Sequence, residues 1–159
     1  MTSVYGYVQA LDYTYKTQPL FEAAKKVWKP VVGSITDVLQ NHPFMKVIKL
    51  GGYEAFFGDV NNYFTLFVPE KIPDNIDVLY AKNVVRFSTL PTVASIELIS
   101  QQSSLNTIYN NENLNVYQES GGLVLHDLNN PVVVVKPNVY VANGVIHYTN
   151  IPLVPSFYN

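Results

Sequence analysis

Residues 143–155 read NGVIHYTNIPLVP, and this stretch is where the chain declares its architecture. Asn143-Gly144 is a turn pair in which both residues tolerate positive φ. It predicts a two-residue type I′ hairpin joining strands over 138–142 and 145–150. Pro152 and Pro155 lack the N–H that a ladder needs, so pairing is expected to stop near them and the chain to run on extended.

Upstream, Gly121-Gly122 and Asn129-Asn130-Pro131 punctuate further strand-like runs over 105–109, 114–118, 123–127 and 132–135. The four valines between Pro131 and Lys136-Pro137 form a segment that aggregates when unfolded and is expected to be buried when folded. Residues 63–69, YFTLFVP, alternate Phe64, Leu66 and Val68 against Thr65 and Phe67, which implies a strand covered on both faces. A short helix is expected over 76–79 and a strand over 84–90, closed by Pro91. Ser34 and Asp37 mark a helix start, Pro43 restarts it, and Gly51-Gly52 ends it. Before that, Pro19 to Lys29 carries an amphipathic helical pattern with a Lys-rich outer face. Tyr5, Tyr7, Tyr13 and Tyr15 sit two apart in pairs, as an extended arm would place them on one face.

Two of these stretches resemble conserved boxes of fasciclin-like (FAS1) domains. Thr65-Leu-Phe-Val-Pro69 is similar to the first box, and Asn143-Gly-Val-Ile-His147 leading into Leu153-Val-Pro155 is similar to the second; they occur in the family's order, behind a helical pair. The resemblance implies an α+β, fasciclin-like fold with N-terminal helices packed on a two-layer β arrangement. It covers residues 34–155, leaving an arm and amphipathic helix over 1–33 and a tail over 156–159. Family members commonly carry an Arg-Tyr-His adhesion element where this chain has Arg86, Phe87 and Ser88, so Arg86 is retained while the phenol and imidazole are gone. Some carry Pro-Asp-Ile before the second box; here those positions are Pro137, Asn138 and Val139, and the carboxylate is replaced by an amide. His147 matches the family's common histidine, read as structural.

Composition narrows function further. A 48% hydrophobic and 14% charged chain of 159 residues is the size of one globular domain with a sparsely charged surface. Net charge is −2 with scattered Lys and Arg, which gives nucleic acid no basic field to bind. There is no cysteine and no apolar run of transmembrane length. The opening residues lack the basic start and apolar core of a signal peptide, which favours an intracellular or particle-borne protein over a secreted one. His42, His126 and His147 show no zinc spacing, and His126-Asp127 are strand neighbours on opposite faces. Asp59, Glu70, Asp74 and Asp77 lack a calcium-loop spacing and read as solvated loop charges.

These features predict no catalytic, metal or cofactor site. They point to a non-enzymatic structural or protein-interaction module, a subunit of a larger assembly of which a viral particle is one setting. Other proteins are the expected partners, through homo- or hetero-association. Tyr5, Tyr7, Tyr13, Tyr15, Arg86 and Phe87 are the candidate interaction residues, since aromatic side chains concentrate where interfaces exclude charge. An extracellular adhesion domain and a binder of small apolar ligands are the competing readings.

Overall fold

The computed structural model describes residues 33–109, 112–119, 122–127 and 130–155. All lie in the second of two units into which the chain divides, Gly33–Asn159. The Tyr-rich arm, the amphipathic pattern over 19–29 and the tail over 156–159 fall outside the described residues.

Among the described residues five short helices are built as the local sequence dictates. Helix α1 (Ile35–Val38) opens on a capping box: Ser34 Oγ accepts from the Asp37 N–H at 3.3 Å, and Asp37 Oδ2 accepts from the Ser34 N–H at 3.1 Å. Helix α2 (Phe44–Leu50) restarts after Pro43 and ends at Gly51, with Gly52 at φ +81°. Helix α3 (Glu54–Gly58) was not foreseen from the sequence; it buries Phe57.

Helix α4 (Val78–Phe87) corrects the strand expected over 84–90. Asp77 caps it, its Oδ1 accepting from the Tyr80 N–H at 2.8 Å. Ala81, Val84 and Val85 then fall on the buried face while Val78, Leu79 and Lys82 stay outside. Three-to-four spacing overrides the β preference of Val84-Val85. Only Thr89–Leu90 remain extended, as β2. Helix α5 (Ile96–Ile99) is capped by Ser95.

The remaining strands are β1 (Phe64–Pro69), β3 (Ser104–Leu105), β4 (Leu114–Glu119), β5 (Gly122–His126), β6 (Pro131–Val141) and β7 (Gly144–Thr149). They form one sheet in the order β2-β1-β7-β6-β5-β4-β3. Among the described strands only β1 and β7 run parallel, pairing Phe64 with Gly144 through Pro69 with Thr149. The expected strand over 105–109 shrinks to two residues because Thr107 Oγ1 accepts from the Tyr109 N–H at 3.1 Å and donates to the Tyr109 carbonyl, a local turn that competes with the ladder. Phe67 from β1 packs in the same core cluster as Leu114 and Val116 from β4 and Leu125 from β5, so the sheet curls until its two halves share a core. Every residue of β1 is buried, as its two-sided apolar pattern predicts.

The hairpin forms, but not around the expected turn. Val141 pairs with Gly144, so the loop is Ala142-Asn143, and neither residue has positive φ. The Asn-Gly pair serves other ends. The Asn143 side chain accepts from the Ile35 N–H at 2.8 Å and donates to the carbonyls of Phe57 at 2.8 Å and Asp59 at 3.3 Å, tying α1 and the C-terminal end of α3 to the hairpin. Gly144, at φ +153°, lies so close to β1 that a β-carbon would run into the Phe64 carbonyl. Along β6 the valine run is buried only at Val132; Val135 is exposed. Two register shifts, between Val134 and Lys136 and between Lys136 and Val139, bend the strand so that its middle rides on the surface.

Candidate functional site

The three histidines that sequence reasoning singles out are scattered, and each has a ring nitrogen engaged in a hydrogen bond within the fold. His147 is fully buried in the middle of β7. Its Nδ1 accepts from the Asn138 N–H at 2.9 Å, and its Nε2–H donates to the Ala94 carbonyl at 2.8 Å. Because a carbonyl only accepts and an N–H only donates, these partners fix the neutral Nε2–H tautomer. Burial pushes the imidazole down to about 4, against smaller upward pulls from the Ala94 carbonyl and the Glu97 carboxylate. The Phe67 ring lies beside it, centroids 5.6 Å apart.

Asn138 stands within the second β6 register shift, between Lys136 and Val139, at φ +60°, a conformation that asparagine tolerates better than most residues. Its Oδ1 accepts from the Ile96 N–H at 2.8 Å, and its Nδ2 donates to Glu97 Oε1 at 3.1 Å and Oε2 at 3.4 Å. An aspartate could accept from Ile96 but would set a second carboxylate against Glu97. The amide at this position is therefore required by α5. Thr65 on β1 completes the arrangement: its Oγ1 donates to the Thr92 carbonyl at 2.6 Å and accepts from the Ala94 N–H at 2.8 Å. Thr65, Asn138 and His147 thus pin residues 92–97 to three adjacent strands. Sequence reasoning missed Thr65 and the role of Asn138; the sign was a polar residue of each kind inside an otherwise apolar strand.

The other histidines stand apart from this group. His42 Nδ1 accepts from the Phe44 N–H at 3.0 Å, and burial lowers its pKa while Glu70 opposes the shift. His126 Nδ1–H donates to the Asp127 carbonyl at 2.9 Å. Asp127 is buried and accepts from the N–H groups of Asn130 at 2.7 Å and Val154 at 3.0 Å, so the pair serves a turn and the C-terminal run. No cluster of three His, Cys, Asp or Glu that could hold a metal ion occurs among the described residues. No helix among them is long and apolar enough to cross a membrane. Among the loop carboxylates, Asp59 accepts from Asn61 and Asn62, and Asp77 caps α4.

The candidate interaction residues separate. Phe87 is fully buried, edge-on to Tyr109 with centroids 5.7 Å apart, so its reading as a surface contact is corrected: on a helix, the apolar stripe turns it inward. Arg86 is part-buried, its guanidinium 5.6 Å from the Tyr109 ring centroid. Tyr5, Tyr7, Tyr13 and Tyr15 lie outside the described residues.

What the surface offers instead is an apolar group near the entry to β1. Tyr63 is 57% exposed, Val60 52%, Val93 40% and Phe56 37%. Phe56 stacks on Phe64 at 4.5 Å between centroids. A groove of about 560 Å³ runs between Asn61–Phe64 and Pro91–Val93, and none of its lining residues is charged.

No protein-family model and no curated protein matches the chain. Among solved structures it is similar to a FAS1 domain pair from the insect cell adhesion molecule fasciclin I, with a TM-score of 0.63 and 17% sequence identity over 79% of this chain. The match spans 52% of the length of that pair. At that identity the likeness speaks for architecture, and it agrees with the two boxes on β1 and β7: the chain has the fasciclin-like (FAS1) fold.

Proposed function

We propose that the protein is a non-enzymatic protein-interaction module. The observation that carries this reading is the uncharged groove between Asn61–Phe64 and Pro91–Val93, flanked by the exposed Tyr63 and Val93. Exposed aromatic and aliphatic groups without charge are the composition of interface centres. Support also comes from the histidines, whose ring contacts serve turns and loops. The solved relative is an adhesion molecule, and adhesion would be one use of such a surface. The finer form of the proposal, a subunit of a larger assembly such as a viral particle, rests on composition and the Tyr-rich arm.

The test is the hydrodynamic mass of the protein in extracts of its native source. A mass well above the 17.9 kDa of the chain, reduced by Tyr63→Asp or Val93→Asp without change in melting temperature, is the expected result. A lone monomer in the wild type would overturn the proposal. A truncation beginning at Gln18 tests the arm: lost association with unchanged melting supports its role, and a large fall in melting temperature with association intact refutes it.

A further inference from the structure

The sheet carries a second opening that the Tyr63 groove does not use. Strand β6 is shared between two partners, and its ladder with β5 ends at Val124 and Val133. Past that rung β6 bends away through its two register shifts against β7. Strand β5 instead stays with β4, pairing Leu123 with Gln118 and Gly122 with Glu119. The two strands therefore part, and a cleft of about 320 Å³ opens between Gly122 and Leu123 on one side and Val134 and Pro137 on the other, with Ile96 and Glu97 of α5 on its wall. Leu123 belongs to the core cluster, and Ile96 and Val134 pack against it, so the floor is apolar and continuous with the interior.

Among the described residues Glu97 is the one ionisable group lining this cleft. Its carboxylate is oriented by the Asn138 amide, which donates to both oxygens but leaves the charge unneutralised. Asn138 is itself fixed by Ile96 and His147. A parted pair of strands offers main-chain edges to an extended segment, an apolar floor takes an aliphatic side chain, and a held carboxylate selects a cation beside it.

We propose that the cleft between β5 and β6 binds an extended peptide segment in which a lysine or arginine is flanked by aliphatic residues, the cation meeting Glu97 and an aliphatic side chain resting on Leu123, Val134 and Pro137. The occupant is a protein segment because the parted strands present backbone as well as side chains. A small amine would use Glu97 alone.

The experiment uses the full chain and three pools of capped hexapeptides of alternating Val and Leu, with Lys, Gln or Glu at the centre, followed by ¹H–¹⁵N shift perturbation. The expected result is saturable shifts at Gly122, Leu123, Val134 and Glu97 with the Lys pool, weaker binding of the Gln pool, and weakest binding of the Glu pool. Glu97→Gln should weaken the Lys pool about two- to fivefold, the range for an exposed pair, and Glu97→Lys should invert the ranking. Butylamine producing the same shifts as the Lys pool would overturn the peptide assignment. Equal binding of all pools, shifts confined to Tyr63 and Val93, or no shifts would each overturn the cleft. These outcomes are separate from the native-mass test: a complex that depends on Tyr63 can persist when Glu97→Lys has no effect.

Discussion

Acidification from pH 7 to pH 5 should destabilise the protein through His147. In the unfolded chain this imidazole titrates near 6.5, whereas in the fold it is pushed down to about 4. Between those values the unfolded state binds a proton that the native state refuses, so stability is full above about 6.5 and declines as pH falls toward 4. Integrating the difference gives a loss of about 2 kcal/mol between pH 7 and pH 5 and about 3 kcal/mol by pH 4. The structural cause is specific: a proton on Nδ1 would remove the acceptor for the Asn138 N–H and place a charge among fully buried groups. The assay is urea unfolding at both pH values for the wild type and for His147→Gln, whose amide can donate and accept but does not titrate. Residual sensitivity of the same sign is expected from His42, whose pKa is also lowered, so His42→Asn is added in the double variant. The expected result is a pH 7 to pH 5 difference about 2 kcal/mol smaller in His147→Gln than in the wild type. Equal differences would refute the account, as would a His147 ring signal that titrates near 6.5 in the folded protein.

Three other substitutions test the packing. Phe67→Ala, at a fully buried ring against His147, should cost roughly 3 to 5 kcal/mol in denaturant unfolding, and a midpoint shift near zero would refute the two-sided burial of β1. Gly144→Ala should cost about 3 kcal/mol or more because its β-carbon would meet the Phe64 carbonyl at a positive φ; a wild-type melting curve would mean that β1 and β7 do not approach so closely. Asn138→Asp should cost about 1 kcal/mol by setting two carboxylates together beside exposed solvent, and Asn138→Asp combined with Glu97→Gln should recover most of it. A double variant no more stable than the single one would show that Glu97 is not the partner.

What the sequence made legible was whatever rests on local chemistry. The capping box of Ser34 and Asp37, the break at Pro43, the end at Gly51-Gly52 and the two-sided burial of residues 64–69 all follow from residue types within a few positions of one another. The misreadings have two causes: a helical signal only a turn or two upstream outweighs local β preference, or neighbours distant in sequence decide. Val84-Val85 read as strand, yet the cap at Asp77 and the buried stripe through Ala81 make a helix. Asn143-Gly144 read as a turn, yet its conformation is set by Ile35, Phe57 and Phe64, which lie 79 or more residues away. The valine run read as buried, yet bulges that serve β7 turn Val135 outward. Phe87 read as an interaction residue from its aromatic ring and its place beside Arg86, yet the buried stripe of α4 turns it inward.

The same division bears on where function resides. Strand β1 pairs in parallel with β7 across a crossover that contains most of the described chain, and parallel pairing with so long a connection gains its contacts late in folding. The polar side chains of the two boxes are placed where that closure needs them. Asn143 seals the helical end, while Thr65 and His147 hold residues 92–97 over the middle of the β1–β7 pair. Groups committed in this way cannot be moved without loosening the sheet, so they are poor instruments for recognition. Tyr63 adjoins Phe64 at the start of β1, and the side chains of Val93 and Glu97 are exposed on the segment that these ties hold. An exposed side chain on a fixed backbone loses little further freedom on meeting a partner. Recognition by this domain is therefore expected from residues flanking the two boxes, and substitutions there should alter binding while leaving the unfolding curve in place.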